Sequence, residues 1–301
     1  RTVAEYAMAL MLASCRLLIP STVRLQRDYR ADMVGLRGID LFQKTIDETY
    51  THAFYLTLYF QGEPYLNPLF LDMVRYACSK KMYVSTSTNA HFLNEETARK
   101  TVESGLDRLV ISIDGTTQET YEQYRIGGQL EKVLEGTRLL LKWKKELKSA
   151  TPHVVFQYLV VGPNEHQISE AEKLAKELGV NEIAFKTAQV YDYQQGSPLI
   201  PQNQKYSRYK KNPDGSYSVQ NKLLNQCWKM WQSCVVTWDG RIVPCCFDKD
   251  ASHQMGSLNE KSFSEIWFSN QYQNFRKSLL NSRSEIEICK NCTEGTKVFA
   301  E

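Results

Sequence analysis

No apolar run in these 301 residues approaches the roughly 18 that a helix needs to cross a bilayer. No secretory pattern opens the chain. Long basic runs are missing too. With a formal net charge of +3 and 24% charged residues, nothing offers the concentrated positive face that nucleic acid demands. These absences lead to the expectation of a soluble, cytoplasmic protein with no membrane or nucleic-acid partner. Histidine is scarce, at five residues. His52, His91 and His166 fall at expected strand edges or a helix start and read as surface or capping residues. Cysteine is scarce only in places. Of eight, Cys15 and Cys78 stand alone, whereas Cys227, Cys234, Cys245, Cys246, Cys289 and Cys292 crowd the C-terminal quarter. Without a secretory signal, that crowding argues for metal rather than disulfides.

What the chain does have, from residue 53 onward, is alternation. Strands are expected at 53–60, 82–90, 106–115, 153–162 and 182–190, and helices at 66–81, 94–105 and 165–179. A long helical stretch, 118–147, is broken near Gly127-Gly128. Asn94 and Gly105 supply an N-cap and a stop for the 94–105 helix. Five β units with intervening helices imply a parallel sheet with right-handed crossovers, either doubly wound or part of a barrel. Ligands sit at the C-terminal strand ends in both. Cys78, in a helical pattern, reads as a core residue, and 142–148 as a solvated helix face. Residues 191–221, rich in Gln, Tyr, Pro and Lys, read as a linker or substrate-facing loop whose tyrosines pack it onto the domain. A hairpin turning at Asp239-Gly240 and a helix over 262–280 follow.

Four thiolates suit zinc or an iron–sulfur cluster equally. Cys289 and Cys292 form a short chelating pair, and Cys245 and Cys246 sit where the hairpin brings distant residues together. Cys227, Trp231, Gly240, Pro244-Cys245, Gly256, Ile266-Trp267 and Cys289-x-x-Cys292, in that order, resemble the SPASM/twitch tail of radical SAM enzymes. The 18-position gap from Cys227 to Cys245 is similar to the one-cluster twitch form. The resemblance implies that Cys227, Cys245, Cys289 and Cys292 hold one auxiliary [4Fe–4S] cluster. Cys234 and Cys246 are then left over, with Cys246 able to replace Cys245. Gln61-Gly62-Glu63-Pro64 is similar to the family's Gly-Gly-Glu-Pro motif, which receives the amino group of S-adenosylmethionine (SAM). By the same resemblance Gly62, Glu63, Asn89, Ser112, Asp114 and Gln157 would bind SAM at strand ends. Read without it, Asn89 is a helix cap and Asp114-Gly115 a turn.

One family hallmark is missing. The cluster that cleaves SAM is held by CxxxCxxC after the first strand, and the only cysteine upstream of residue 53 is Cys15. The best alignment of 15–22 puts Ile19 and Thr22 where thiolates belong, and neither ligates iron in such a cluster. Residues 1–16 carry the i, i+3, i+4 spacing of an amphipathic helix. Together with 35–45 they resemble part of a D-2-hydroxyacid dehydrogenase. The expected architecture is thus α/β: a partial (β/α)6 radical SAM-like barrel, lacking its first strand and cluster loop, with a small cysteine-rich C-terminal domain. Boundaries are expected at 1–45 (dehydrogenase-like helical segment), 46–190 (core), 191–221 (linker) and 222–301 (iron–sulfur domain). The family's chemistry implies a small-molecule or peptide substrate and an electron donor such as a flavodoxin or ferredoxin. The rival reading is a non-catalytic iron–sulfur or zinc module.

Overall fold

A computed structural model describes residues 9–12 and 37–294, with side chains from residue 38. The chain divides into two compact units. The first comprises Arg1–Thr86, Ser104–Leu106 and Leu224–Glu301, and the second Ser87–Glu103 and Asp107–Leu223.

In the first unit, strand β1 (Ala9–Leu12) pairs in parallel with both β2 (Tyr55–Thr57) and β9 (Ser233–Val236). β2 pairs in parallel with β3 (Tyr83–Thr88). β10 (Arg241–Val243) runs antiparallel to β9, and β11 (Gly256–Ser257) antiparallel to β10. Two expectations give way here. Where 1–16 was expected to be helical, the structure has a strand at 9–12, and a strand does precede β2. The physical reason is that four consecutive apolar residues fit a helix face or a buried strand equally well. Two flanking strands with open ladders decide for the strand. Cys15, Ile19 and Thr22 lie outside the described residues, as does most of the dehydrogenase-like stretch.

Helix α1 (Arg37–Thr49) and helix α2 (Phe70–Ser79) flank this sheet, and Ile46, Leu56, Val74 and Val84 form its core. Cys78 is half-buried rather than core, its thiol donating to Gly105 O at 3.2 Å. The hairpin turns at Gly240, with φ at 82°. The expected helix over 262–280 is two, α7 (Phe263–Trp267) and α8 (Asn270–Ser282), because Ser269 caps the second by accepting from Tyr272 N–H.

In the second unit β4 (Arg108–Ser112), β5 (His153–Val160) and β6 (Glu182–Thr187) are parallel neighbours. Val154, Val155 and Phe156 are consecutive and all buried, so this sheet is covered on both faces. Helix α3 (Glu95–Glu103) starts where Asn94 Oδ1 accepts the N–H groups of Glu96 and Thr97 at 3.0 and 2.9 Å. The long helical stretch breaks as expected, into α4 (Gln118–Tyr124) and α5 (Leu130–Glu146). Helix α6 (Ile168–Leu178) stops at Gly179. The stretch 191–221 contains a small hairpin, β7 (Tyr209–Lys211) with β8 (Tyr217–Val219). Tyr193 stacks on Tyr209, and Tyr206 packs against Phe185.

Candidate cofactor sites

In the first unit the β2 ladder ends where Leu58 N–H donates to Ser85 O at 2.7 Å. Gly62 then adopts φ 83°, a left-handed conformation that a side chain would strain. Glu63 caps a single 3-10 turn, Pro64–Leu66, its carboxylate accepting from Tyr65 N–H at 3.3 Å. Pro64 fits the first helical position because its missing N–H has no partner there anyway. So Gly-Glu-Pro has a local structural role: it turns the chain out of the strand. It also leaves a carboxylate only 5% exposed at the strand's tip. Gln61 Nε2 donates to Lys249 O at 3.4 Å. Phe60 and Gln61 line, with Thr237, Trp238, Arg241 and Lys249, a small, shallow cleft open to solvent. The motif's opening residue and the tail's hairpin turn therefore face one space.

In the second unit Ser112 and Gln157 are register partners on β4 and β5. Asn89 Oδ1 accepts from His91 N–H at 3.0 Å. His91 Nε2 accepts from Gln129 N–H at 2.9 Å, so its proton sits on Nδ1 and goes to Asn89 O at 2.9 Å. His91 thus braces the Asn89 turn, a role its lone position in the sequence did not signal. Asp114 is 1% exposed and its carboxylate is engaged by the protein. Oδ2 accepts from Arg125 Nε at 2.5 Å, Oδ1 from Leu159 N–H at 2.8 Å, and its carbonyl from Asn164 Nδ2 at 3.0 Å. Burial pushes the Asp114 carboxyl up, against the pull of Arg125 and of Leu159 N–H. As it stands, Asp114 ties the end of β4 to β5.

The tail, wholly in the first unit, gathers thiols. Cys227 and Cys289 share a buried apolar cluster with Met230, Leu279 and Ile288, and Cys245, Trp231 and Phe247 pack against it. Cys292 is buried beside them. Burial pushes the Cys289 thiol up to about 11, with Cys292 and Cys227 adding to the rise. Cys245 is raised well above the ordinary thiol range by burial, then by Cys246, Cys289 and Cys292. Cys245, Cys289 and Cys292 are thus close enough to repel one another as thiolates. Cys234 is different. It lies on β9, pushed up to about 12 by burial, and its charged neighbour is Arg276, not the other thiols. Cys246 stays near the group but faces Lys229, which ion-pairs with Glu294, and half-buried Tyr59.

Among the described residues, no three Cys, His, Asp or Glu donors converge tightly enough for a single metal ion. A buried polar atom tests the fit to a cluster. Arg283 is 1% exposed, and its Nη2 donates to Cys292 Sγ at 3.4 Å. Among the described residues its Nε has no acceptor. Glu294 N–H also points at Cys292 Sγ, at 3.3 Å. Thiolates and sulfides are the acceptors such donors suit, and the residues present fit an iron–sulfur cluster.

Comparison with known proteins agrees. Residues 41–178 match the model of the Radical SAM superfamily, and residues 227–293 match SPASM, an iron-sulfur cluster-binding domain. The tungsten-containing aldehyde ferredoxin oxidoreductase cofactor-modifying protein of Pyrococcus furiosus is 26% identical over 288 residues, covering 81% of this chain and 76% of that protein. The cysteine-type anaerobic sulfatase-maturating enzyme of Clostridium novyi is 25% identical over 297 residues, with 86% and 76% covered. The structure of Streptococcus suis SuiB bound to S-adenosylmethionine overlays with a TM-score of 0.63 at 11% identity, covering 98% of this chain and 74% of that one. At that identity the likeness speaks for the fold, and the fold is the α/β one expected.

Proposed function

Because this chain carries a Radical SAM superfamily domain and a SPASM iron–sulfur cluster-binding domain, we propose that it is a radical SAM/SPASM-type protein whose SAM-cleaving step is impaired. The reaction of its kind is reductive cleavage of SAM followed by radical modification of a small molecule or peptide. One relative modifies a cofactor and another matures a sulfatase, which supports both substrate classes. The observation carrying the reading is the gathering of Cys227, Cys245 and Cys289 on one buried apolar cluster, with Cys292 beside them.

An auxiliary [4Fe–4S] cluster supplies an electron acceptor or a substrate anchor. Cys227, Cys245, Cys289 and Cys292 would hold it, each giving up its proton. Glu63, buried at its strand tip after the Gly62 turn, receives the ammonium of SAM. Ser112, at the end of β4, its register partner Gln157 within β5, and Asn89, with its turn fixed by His91, would offer hydrogen bonds to hydroxyl and carboxylate groups. Asp114, engaged by Arg125 and Leu159, contributes by holding β4 against β5. Among the described residues no helix is long and apolar enough to cross a membrane.

The impairment rests on Cys15 being the only cysteine before Cys78. The same observation favours a second reading, a cluster-bearing module that performs no radical chemistry. Iron and sulfide are counted after anaerobic reconstitution, and SAM is then incubated with the dithionite-reduced protein. About four irons and no 5′-deoxyadenosine would mean one cluster and a silent core. About eight irons with SAM cleavage would sink the impairment.

A further inference from the structure

Buried guanidinium groups need an anion. Removing a cation from water costs several kcal/mol unless a counter-charge and full hydrogen bonding offset it. The tail buries two arginines, and among the described residues neither pairs with a carboxylate. Arg276 has an evident substitute: its guanidinium lies 4.2 Å from the Trp267 ring centre and 4.0 Å from that of Tyr272. It also donates to Met230 O and Trp267 O. Arg283 has no such aromatic pair among the described residues. Its Nη1 donates to Gln226 O at 2.5 Å and its Nη2 to Glu294 O at 2.7 Å. The groups beside it that can become anions are both ligand thiols, Cys292, whose Sγ its Nη2 meets at 3.4 Å, and Cys289, and its Nε is left over.

Those partners are not random. Gln226 precedes Cys227, and Glu294 lies two residues past Cys292. One guanidinium thus fastens both chain segments that carry the outer thiols. Its own place is fixed from the other side, where Asn225 Oδ1 accepts from Arg283 N–H at 3.0 Å and Asn225 Nδ2 donates to Asn281 O at 2.6 Å.

We infer that Arg283 is the built-in counter-cation of the auxiliary cluster, setting its reduction potential through a charged N–H···S bond to Cys292 while it positions both ligand segments. This rests on the cluster reading above. Four thiolates make the centre anionic, and one added electron makes it more so. A fixed positive charge touching a ligand sulfur therefore stabilises the reduced state more than the oxidised one, and hydrogen bonds to sulfur act in the same direction. Arg283 is a positioning and tuning residue, acting through Cys292 rather than on substrate.

The test uses the full chain, reconstituted anaerobically as wild type, R283Q, R283K and R276K. Iron and sulfide are counted, and the midpoint potential is followed by EPR during a redox titration. In R283Q the reduced-to-oxidised ratio at a fixed potential is expected to fall about tenfold, which is about 59 mV for a one-electron couple. R283K, which keeps the charge but loses the fork, should shift in the same direction by less. R276K, beside Cys234, should leave the potential in place. If R283Q does not fold, R283K against R276K decides. Equal potentials in wild type and R283K, or the same shift in R276K, would overturn the inference. A wild type that takes up no iron would instead defeat the cluster reading on which it stands.

Discussion

The strand ends of the second unit and the cysteine tail of the first both bury polar groups, and they settle them in opposite ways. At Asp114 each charge has its match inside the protein: Arg125, Leu159 N–H and Asn164 close the arrangement. In the tail the thiols crowd one another, and among the described residues Arg283 Nε, Arg276 Nη2 and Tyr272 Oη have no partner. A region that completes itself is structural first. A region that leaves donors and would-be anions together is suited to a group that is not protein, as the proposed cluster would be. The contrast sets the tail apart as the place for such a group, and it makes the strand ends a pre-formed frame.

Breaking each region should therefore give different symptoms. The largest effect is expected from the double variant C289S/C292S, which removes the chelating pair. Iron after reconstitution should fall from about four per chain to near zero, whereas C234S should keep it. If C234S loses iron equally, the assignment of ligands is wrong. Next is R125A, which strands the buried Asp114 carboxylate. It should cost about 3–5 kcal/mol in urea unfolding and leave iron uptake alone, because the two regions settle their charges separately.

A third test turns on pH. Burial lifts the Cys289 thiol from about 9 to about 11, so the folded metal-free chain holds that proton more tightly than the unfolded chain. The resulting stability is fully present below pH 9 and is lost as pH rises through 11. The loss for this group is at most about 2–3 kcal/mol. Thermal melts of the metal-free chain should decline across that window, and melts of the iron-loaded protein should be flatter. The smallest effect is expected from N94A, which removes the α3 cap at about 1 kcal/mol and touches neither region's chemistry.

How much of this could be read from the residues depended on how local each cause was. The Asn94 cap, the Gly127-Gly128 break and the Asp239-Gly240 turn act over four or five positions, and each appeared where its sequence placed it. The Asn212-Pro213-Asp214-Gly215 turn was equally legible, yet the composition around it suggested a plain linker. The crowding of cysteines in the tail was visible in the sequence, whereas the choice of four among the six came from the resemblance alone. Strand β1 was not, because Ala9–Leu12 has no pattern of its own and takes its form from β2 and β9. Nor was the engagement of Asp114, which depends on an arginine 11 positions away and an amide 45 away. Arg283 was invisible among 37 basic residues. Only burial and the atoms around it separate it from the others.

The first unit is assembled from both ends of the chain. Glu48 accepts from Phe263 N–H at 2.6 Å across 215 positions, and Lys44 donates to Leu258 O at 3.2 Å across 214. At roughly 5–20 residues per second on the ribosome, helix α1 waits about 10–40 s for those partners to emerge. Through that interval the amphipathic face of α1 lacks its C-terminal cover. The second unit, between them, already has its three parallel strands. A nascent chain of this protein would thus hold α1 without that cover until residues 258–263 emerge, and would bring Cys289 and Cys292 together only after the second unit has been made.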